Sequence, residues 1–340
     1  MAKTIVAVDC MGGDNAPGEI VKGAILAANK NKNIMLKLVG IEDAVKAELS
    51  KYTYDEEQVE IVPATEVIET AEPPVIAIRT KTDSSLVKAM KLVKEGGAHG
   101  VVTAGSTGAT LVGGQLLVGR IPGVKRPPLA PLIPTNRKPS LLIDCGANVD
   151  AKPQNLVQFA KIGSVYMENV MGVKNPKVAI VNIGAEEEKG NALVKEAYGL
   201  LSLENDINFV GNVEARDIPN GDVDVIVCEA FVGNVILKMY EGVGAVLLKK
   251  VKGALMSNIK TKIGAVLIKS KLKETLKDFQ LEQYGGAPLL GLNGLVVKTH
   301  GSSKANEIKN SVLQCVRFNE MDINNKIQQK LSEKREDADN

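Results

Sequence analysis

TIVAVDCMGGDNAPG, Thr4 to Gly18, decides how the chain is read. Five β-favouring residues, Thr4 to Val8, end in Asp9, and Gly12-Gly13, Asp14, Asn15 and Pro17 follow at once. This is the pattern of a strand feeding a tight polar turn and then a helix that a proline opens. The spacing differs from the G-x-G-x-x-G of a dinucleotide fold. Paired glycines instead allow close backbone approach at the edge of a site.

Working outward, the same unit recurs. Candidate strands are Ile5–Asp9, Met35–Val39, Val59–Val62, Gly100–Thr103, Ser140–Asp144, Val178–Asn182, Asn208–Val210 and Val223–Val227. Helical periodicity fits Glu19–Ala28, Ser84–Val93, Leu156–Met171, Ala192–Leu201 and the stretch Ala305–Leu331. The alternation predicts an α/β fold with a mainly parallel sheet covered by helices on both faces. Polar, glycine-bearing turns follow several strands, at 9–14, 104–108, 144–148 and 184–190. In open α/β sheets ligands sit outside the carboxyl ends of strands, so one crevice built by several loops is expected. No low-complexity linker or repeat divides the chain. The expected organisation is one α/β domain over residues 1–331, with a helical excursion at about 240–280, and a polar tail at 332–340.

Composition narrows the function classes. With 340 residues, 44% of them hydrophobic, a substantial core can be buried. A formal net charge of +2 means that attraction to nucleic acid or anionic lipid must come from a local patch. Trp is absent and aromatics make up 3%, which argues against stacking platforms for nucleic acid. Cys10, Cys145, Cys228 and Cys315 are scattered without a C-x-x-C pair, giving neither a zinc site nor a disulfide framework. The first residues lack a charged segment followed by an apolar one, and no run approaches ~18 uninterrupted apolar residues. A cytoplasmic location is expected.

The loops carry the candidate chemistry. Gly105-Ser106-Thr107-Gly108 lies between a strand and a helix, where first-turn amides and hydroxyls can bind phosphate or simply cap the helix. Asp144, Asn148 and Asp150 can bind magnesium or cap the helix and fix the loop, and without a second acidic cluster the sequence favours the cap over the metal. Glu186-Glu187-Glu188 reads as a solvated charge run, but its place after a strand would bring Lys189 to the crevice as a point charge for an anion. Gly233-Asn234 can open a helix carrying Lys238, with the Asn234 amide serving as a cap or as a donor to an oxyanion. His300 follows a glycine-rich loop, where a histidine is more often structural than catalytic.

From Val243 to Lys273 the chain contains eight lysines and no acid. Val251, Leu255, Ile259 and Ile263 recur four apart, as do Ile268, Leu272 and Leu276. A basic helical hairpin with apolar faces suits an anionic membrane surface or a dimer interface.

Taken in order, VDCMGGD, TAGSTGA, RPPLAPLIPT, DCGAN, EEEKGN, EAFVGNVILK and YGGAPLLG resemble the PlsX-type phosphate acyltransferases of bacterial phospholipid synthesis. The resemblance runs from Ile5 to about Val316. It implies a fold related to phosphotransacetylases and to the isocitrate and isopropylmalate dehydrogenases, in a homodimer. It implies transfer of a fatty acyl group from acyl-[acyl carrier protein] to inorganic phosphate, with no cofactor or metal, giving acyl phosphate for phospholipid synthesis. Lys189 and Asn234 match the positions most closely tied to catalysis. Asp9, Gly12, Gly13, Asp14, Gly105, Ser106, Thr107, Asp144 and Asn148 match motif positions expected to bind substrate. The expected partners are acyl carrier protein, phosphate, a second copy of the chain and an anionic membrane touched through about 243–273, but not nucleic acid. Phosphate is largely dianionic near pH 7 and the leaving thiol has a pKa of about 8.5, so two histidines are no obstacle. A phosphotransacetylase acting on short-chain acyl-CoA is the alternative enzyme, and a membrane-binding scaffold the alternative outside catalysis.

Overall fold

The computed structural model describes residues 3–275 and 283–332. Its first half contains β1 (Thr4–Asp9), α1 (Gly18–Lys30), β2 (Ile34–Gly40), α2 (Glu42–Leu49), β3 (Val59–Pro63), α3 (Pro74–Thr80), α4 (Ser85–Lys94), β4 (Gly100–Thr103), α5 (Thr107–Gly113), β5 (Leu132–Ile133), β6 (Ser140–Ile143) and α6 (Pro153–Asn169). The second half contains β7 (Lys177–Asn182), α7 (Ala192–Ser202), β8 (Asn208–Glu214), β9 (Val225–Val227), α8 (Ala230–Leu255), α9 (Ile259–Thr275), β10 (Ala287–Leu289), β11 (Leu295–Lys298), α10 (Ala305–Glu320) and α11 (Ile323–Ser332).

The mainly parallel α/β character is present, with the strands shared between two sheets. One has the order β10-β11-β4-β1-β2-β3 and the other β5-β6-β9-β7-β8. Among the strand pairs of the described residues, β10–β11 and β5–β6 run antiparallel and the rest parallel. Alternation along β1 shows how the first sheet is covered. Val6 and Val8 face a core with Ile20 and Ile25 of α1 and Ile308 and Val312 of α10, while Ala7 faces a second core with Leu86 and Met90 of α4. Leu141 and Ile143 of β6 and Val225 and Val227 of β9 join the first of these cores through Phe159 and Ile162 of α6. Helices α1, α10, α6 and α11 therefore lie between the sheets, and Gln314 Nε2 of α10 donates to Tyr166 Oη of α6 at 2.8 Å. Burying an apolar side chain such as Ile20 or Phe159 there stabilises the fold by about 1.5–3 kcal/mol.

The stretch expected as one helix from Ala305 to Leu331 is two. The chain breaks at Asp322, whose φ is +52° and whose carboxylate accepts from Asn325 Nδ2 at 2.9 Å. The break lets Ile308 and Val312 pack towards α1 while α11 packs on α6.

The lysine-rich segment does form a helical hairpin. Its first helix opens at Glu229, whose carboxylate accepts from the amides of Phe231 (2.6 Å) and Val232 (2.9 Å), so Gly233-Asn234 lies inside the helix instead of opening it. The turn at 256–258 places Val251 and Leu255 on α8 but Ile259 and Ile263 on α9, so their four-residue spacing is not a stripe on one helix. Leu276 and most of the polar tail lie outside the described residues. By length and composition α8 could cross a membrane, with a mean hydropathy of 1.4 over an 18-residue window. Its beginning is nevertheless tied to the body, since Tyr240 Oη donates to Pro134 O at 2.5 Å.

Candidate active site

Neighbouring parallel strands bring their following loops side by side. At the carboxyl ends of β1, β4 and β11, Asp9 is buried, and Thr103 Oγ1 donates to its Oδ2 at 2.7 Å. The same hydroxyl accepts from the Gly105 amide at 3.0 Å, so a carboxylate on β1 orients the loop after β4. Burial raises the Asp9 carboxyl above the ordinary range, against the hydrogen bonds from Ser85, Thr103, Met11 and Gly12 that favour its charge. A Cβ on Gly12 would lie 2.5 Å from Asp9 Oδ2 and 2.6 Å from the Gly105 nitrogen, which leaves no room for any side chain. Gly13 has φ +96° and presses on Ala104 in the same way. Asp14 N donates to Gly301 O at 2.8 Å, and Asn15 Nδ2 donates to Ser302 O at 2.9 Å. Ser106 caps α5 by accepting from the Ala109 amide at 3.4 Å, leaving Thr107 exposed at the start of a helix that runs on to Val118. Such a helix start favours an anion.

The second sheet builds another group from the ends of β6, β9 and β7. Asp144 is fully buried. Its Oδ1 accepts from the amides of Leu129 (3.0 Å) and Ala147 (3.2 Å), and its Oδ2 from Asn148 Nδ2 (2.6 Å). Burial pushes its carboxyl up to about 6 despite these bonds. Gly233 rests on this loop so closely that a Cβ there would meet Asp144 O at 2.0 Å. The first turn of α8, with the half-buried Asn234, is thereby fixed against the Asp144 loop. Lys189 is exposed on the loop after β7. That loop is held by Asn182 Nδ2 on Lys189 O (3.1 Å), Asn212 Nδ2 on Glu186 O (2.9 Å) and Tyr198 Oη on Glu187 Oε1 (2.9 Å).

The RPPLAPLIPT stretch stitches the groups together. Leu129 bridges to Leu289 beside the first sheet and donates to Asp144 beside the second, while Leu290 N donates to Pro128 O at 3.0 Å. Asp9, Gly12, Gly13, Asp14 and Gly105 thus fall in one contact set, with Ser106 and Thr107 following on its loop, and Asp144, Asn148 and Asn234 in another. Among the described residues, no hydrogen bond or ion pair joins Lys189 to Asn234 or to either set. Asn148 Nδ2 is shared between Asp144 Oδ2 and Pro127 O, while Asn148 Oδ1 is buried without a hydrogen-bond partner; no group of three or more metal-ligating side chains is found among the described residues. His300 is exposed, and its Nδ1 accepts from the Ser302 amide at 3.2 Å, which gives it a local structural role.

Thr103, Glu229 and Lys298 have no counterpart among the sequence candidates. The signal for Lys298 lies in GLVVK, where a charge closes an apolar strand. Its side chain is buried at the end of β11, and Nζ donates to Ala104 O (3.4 Å) and to Thr299 O.

A family model described as "Fatty acid synthesis protein" matches residues 4–326. A phosphate acyltransferase of Clostridium acetobutylicum is 51% identical over 329 residues, 97% of this chain and 99% of that protein. One from Clostridium tetani is 48% identical over 326 residues, covering 96% and 97% of the two chains. Among solved structures, a phosphotransacetylase from Streptococcus pyogenes superposes with a TM-score of 0.60 at 15% identity, over 93% of this chain and 94% of its own; at that identity the likeness is one of fold. Matched along nearly its whole length to such relatives, the chain belongs to the fatty acid synthesis protein family and is an enzyme of its phosphate acyltransferase group.

Proposed function

We propose that this enzyme moves a fatty acyl group from acyl-[acyl carrier protein] to inorganic phosphate, releasing the carrier thiol and an acyl phosphate that feeds phospholipid synthesis. The observation that carries this reading is a glycine-lined, hydroxyl-bearing loop set beside a second set bearing Asn234, in a chain that belongs to the phosphate acyltransferases. A phosphate oxygen attacks the thioester carbonyl, the C–O bond forms, and collapse of the tetrahedral intermediate breaks the C–S bond. The thiolate takes a proton from solvent. Phosphate needs no general base near pH 7, so the protein's task is to hold it against the carbonyl and to stabilise the oxyanion. In this mechanism the Gly105-Ser106-Thr107 loop binds phosphate, Lys189 balances the developing charge, and the Asn234 amide donates to the oxyanion. Asp9 and Asp144 hold the loops that present these groups.

The hairpin fits the same reading. Ile259, Val266 and Leu267 are 76%, 73% and 80% exposed, and Val243, Leu247 and Met256 are exposed as well. A patch of this kind needs a partner. Eight lysines beside it favour an anionic membrane, to which a single-chain acyl product would pass, while the remaining apolar surface serves a homodimer.

The test is mass-spectrometric detection of acyl phosphate after mixing the enzyme and phosphate with palmitoyl-[acyl carrier protein], palmitoyl-CoA or acetyl-CoA. Phosphate-dependent product from the carrier-protein donor supports the proposal. Product from acetyl-CoA alone would make the enzyme a phosphotransacetylase, the activity named for its structural neighbours.

A further inference from the structure

The first group of loops has a difficulty that its glycines do not solve. Asp9 is buried at the end of β1 and Asp14 is exposed on the loop that follows, and negative charge there disfavours an inorganic phosphate dianion at the neighbouring Gly105-Ser106-Thr107 loop. The cation facing them is Lys298. Its field couples to Asp9 and Asp14 and to Glu307 of α10, while β4, β10 and α5 contribute no titratable side chain and His300 lies on the loop that follows. The hydrogen bonds recorded for its ammonium run to main-chain carbonyls, Ala104 O at 3.4 Å and Thr299 O. Ala104 immediately precedes Gly105-Ser106-Thr107. The loop is therefore gripped from both sides, from β1 by the Asp9 carboxylate through Thr103 Oγ1, and from β11 by the Lys298 ammonium on the carbonyl of Ala104. A charged lysine that is 8% exposed costs free energy unless an anion repays it.

We infer that Lys298 is the positioning residue of the phosphate site: its ammonium anchors the Ala104 carbonyl, and with it the Gly105-Ser106-Thr107 loop, and offsets Asp9 and Asp14 so that inorganic phosphate can bind there. The inference rests on the reading of that loop as the wall that holds phosphate. Burial lowers the Lys298 ammonium to about 8, so its charge is kept at neutral pH and declines as pH rises through about 8, where phosphate is already dianionic.

The experiment measures binding of inorganic phosphate by ³¹P NMR titration, and KM for phosphate and for acyl donor, in the full chain and in Lys298→Met and Lys298→Arg. Melting temperatures are recorded alongside. Lys298→Met is expected to weaken phosphate about tenfold or more while the donor KM stays within about twofold. Lys298→Arg, which keeps the charge at all accessible pH, is expected to restore most of the affinity and to remove the decline expected of the native chain as pH passes about 8. Native-like phosphate affinity in Lys298→Met overturns the inference. So does an unaltered pH midpoint in Lys298→Arg, which serves as the test if the methionine variant does not fold. If the native chain binds phosphate but forms acyl phosphate from no donor, the proposed reaction fails while the assignment of Lys298 is still decided by the binding data. A native chain that binds no phosphate overturns the assignment.

Discussion

Replacing Gly233 by alanine tests the contact on which the second half of the site is built. The new Cβ would lie 2.0 Å from Asp144 O and 3.0 Å from both the Asp144 carbonyl carbon and Cys228 Sγ. Ordinary contact begins at 3.4 Å, so α8 and the Asp144 loop must separate by about 1.4 Å. The obstacle is main chain, held by Cys228 O on the Asp144 amide at 2.9 Å, and cannot swing aside like a flexible side chain. Overpacking of this kind costs about 1–3 kcal/mol, or roughly 1–4 °C of melting temperature for a chain of this size. Asn234, one residue further along α8, moves with the helix, and a displacement of about 1 Å at a reacting centre costs about 100-fold in rate. Gly233→Ala should therefore lower kcat for acyl phosphate formation about 100-fold with a modest loss of stability. Gly199→Ala is the control. Gly199 is exposed on α7 with nothing within 4 Å of a Cβ, so alanine there should stabilise by about 0.5–1 kcal/mol and leave kcat alone. Native kcat and native melting temperature in Gly233→Ala would refute the reasoning, because α8 would then be free to adjust without disturbing the site.

Further predictions concern charge. Lys161 is buried between Glu204 Oε2 (2.9 Å) and Asp206 Oδ2 (2.8 Å); Lys161→Met should cost about 3–5 kcal/mol in urea unfolding because it strands buried carboxylate charge, and a loss below about 1 kcal/mol would mean the cluster is well solvated. Lys189 is exposed, so Lys189→Ala should leave melting unchanged while kcat falls about 100-fold or more; full turnover would remove it from the mechanism. The folded chain holds the Asp144 proton more tightly than the unfolded chain, about 6 against 3.8, so that stabilisation is complete below about pH 4 and is lost as pH rises through 6. The stability of the native chain relative to Asp144→Asn should accordingly fall by about 2 kcal/mol between pH 4 and pH 7, and a pH-independent difference would show the carboxyl to be normal. Replacing Ile259 and Ile263 by Glu should abolish sedimentation with anionic vesicles without lowering the melting temperature. If vesicle binding survives and a dimer dissociates instead, the hairpin is an interface.

Much of the site is legible in sequence because its grammar is local. A strand that ends in Asp9 and is followed at once by Gly12-Gly13 declares a close backbone approach, and the structure finds Asp9 Oδ2 and the Gly105 amide where a side chain would stand. Gly105-Ser106-Thr107 reads correctly as a helix start, since Ser106 supplies the cap. Lys298 is harder to read, because a lysine that closes an apolar strand is also the common way to end one at the surface. The pairing of β11 with β4 places the Lys298 ammonium on the carbonyl of Ala104, where the charge is buried. Asp144 and Asn148 carry the opposite lesson. Their residue types suit a ligand site, yet the Asp144 carboxylate and the Asn148 Nδ2 are bound to each other, to the Leu129 amide and to Pro127 O, contacts that no local pattern announces.

By itself the sequence determined the strand and helix alternation, the parallel character, the glycine-lined turns, the basic hairpin and, through the order of its motifs, the family. These follow from periodicities of two and 3.6 residues and from backbone restrictions that act within a few positions. Tertiary structure alone decided that the strands form two sheets, that Asp322 breaks the last helix, that α8 opens at Glu229, and that RPPLAPLIPT joins the two halves of the site. The physical reason is range. The pairings of Thr103 with Asp9, Lys298 with Ala104 and Cys228 with Asp144 span 94, 194 and 84 residues, and which distant groups share one small, water-poor space is fixed by the packing of whole helices and sheets.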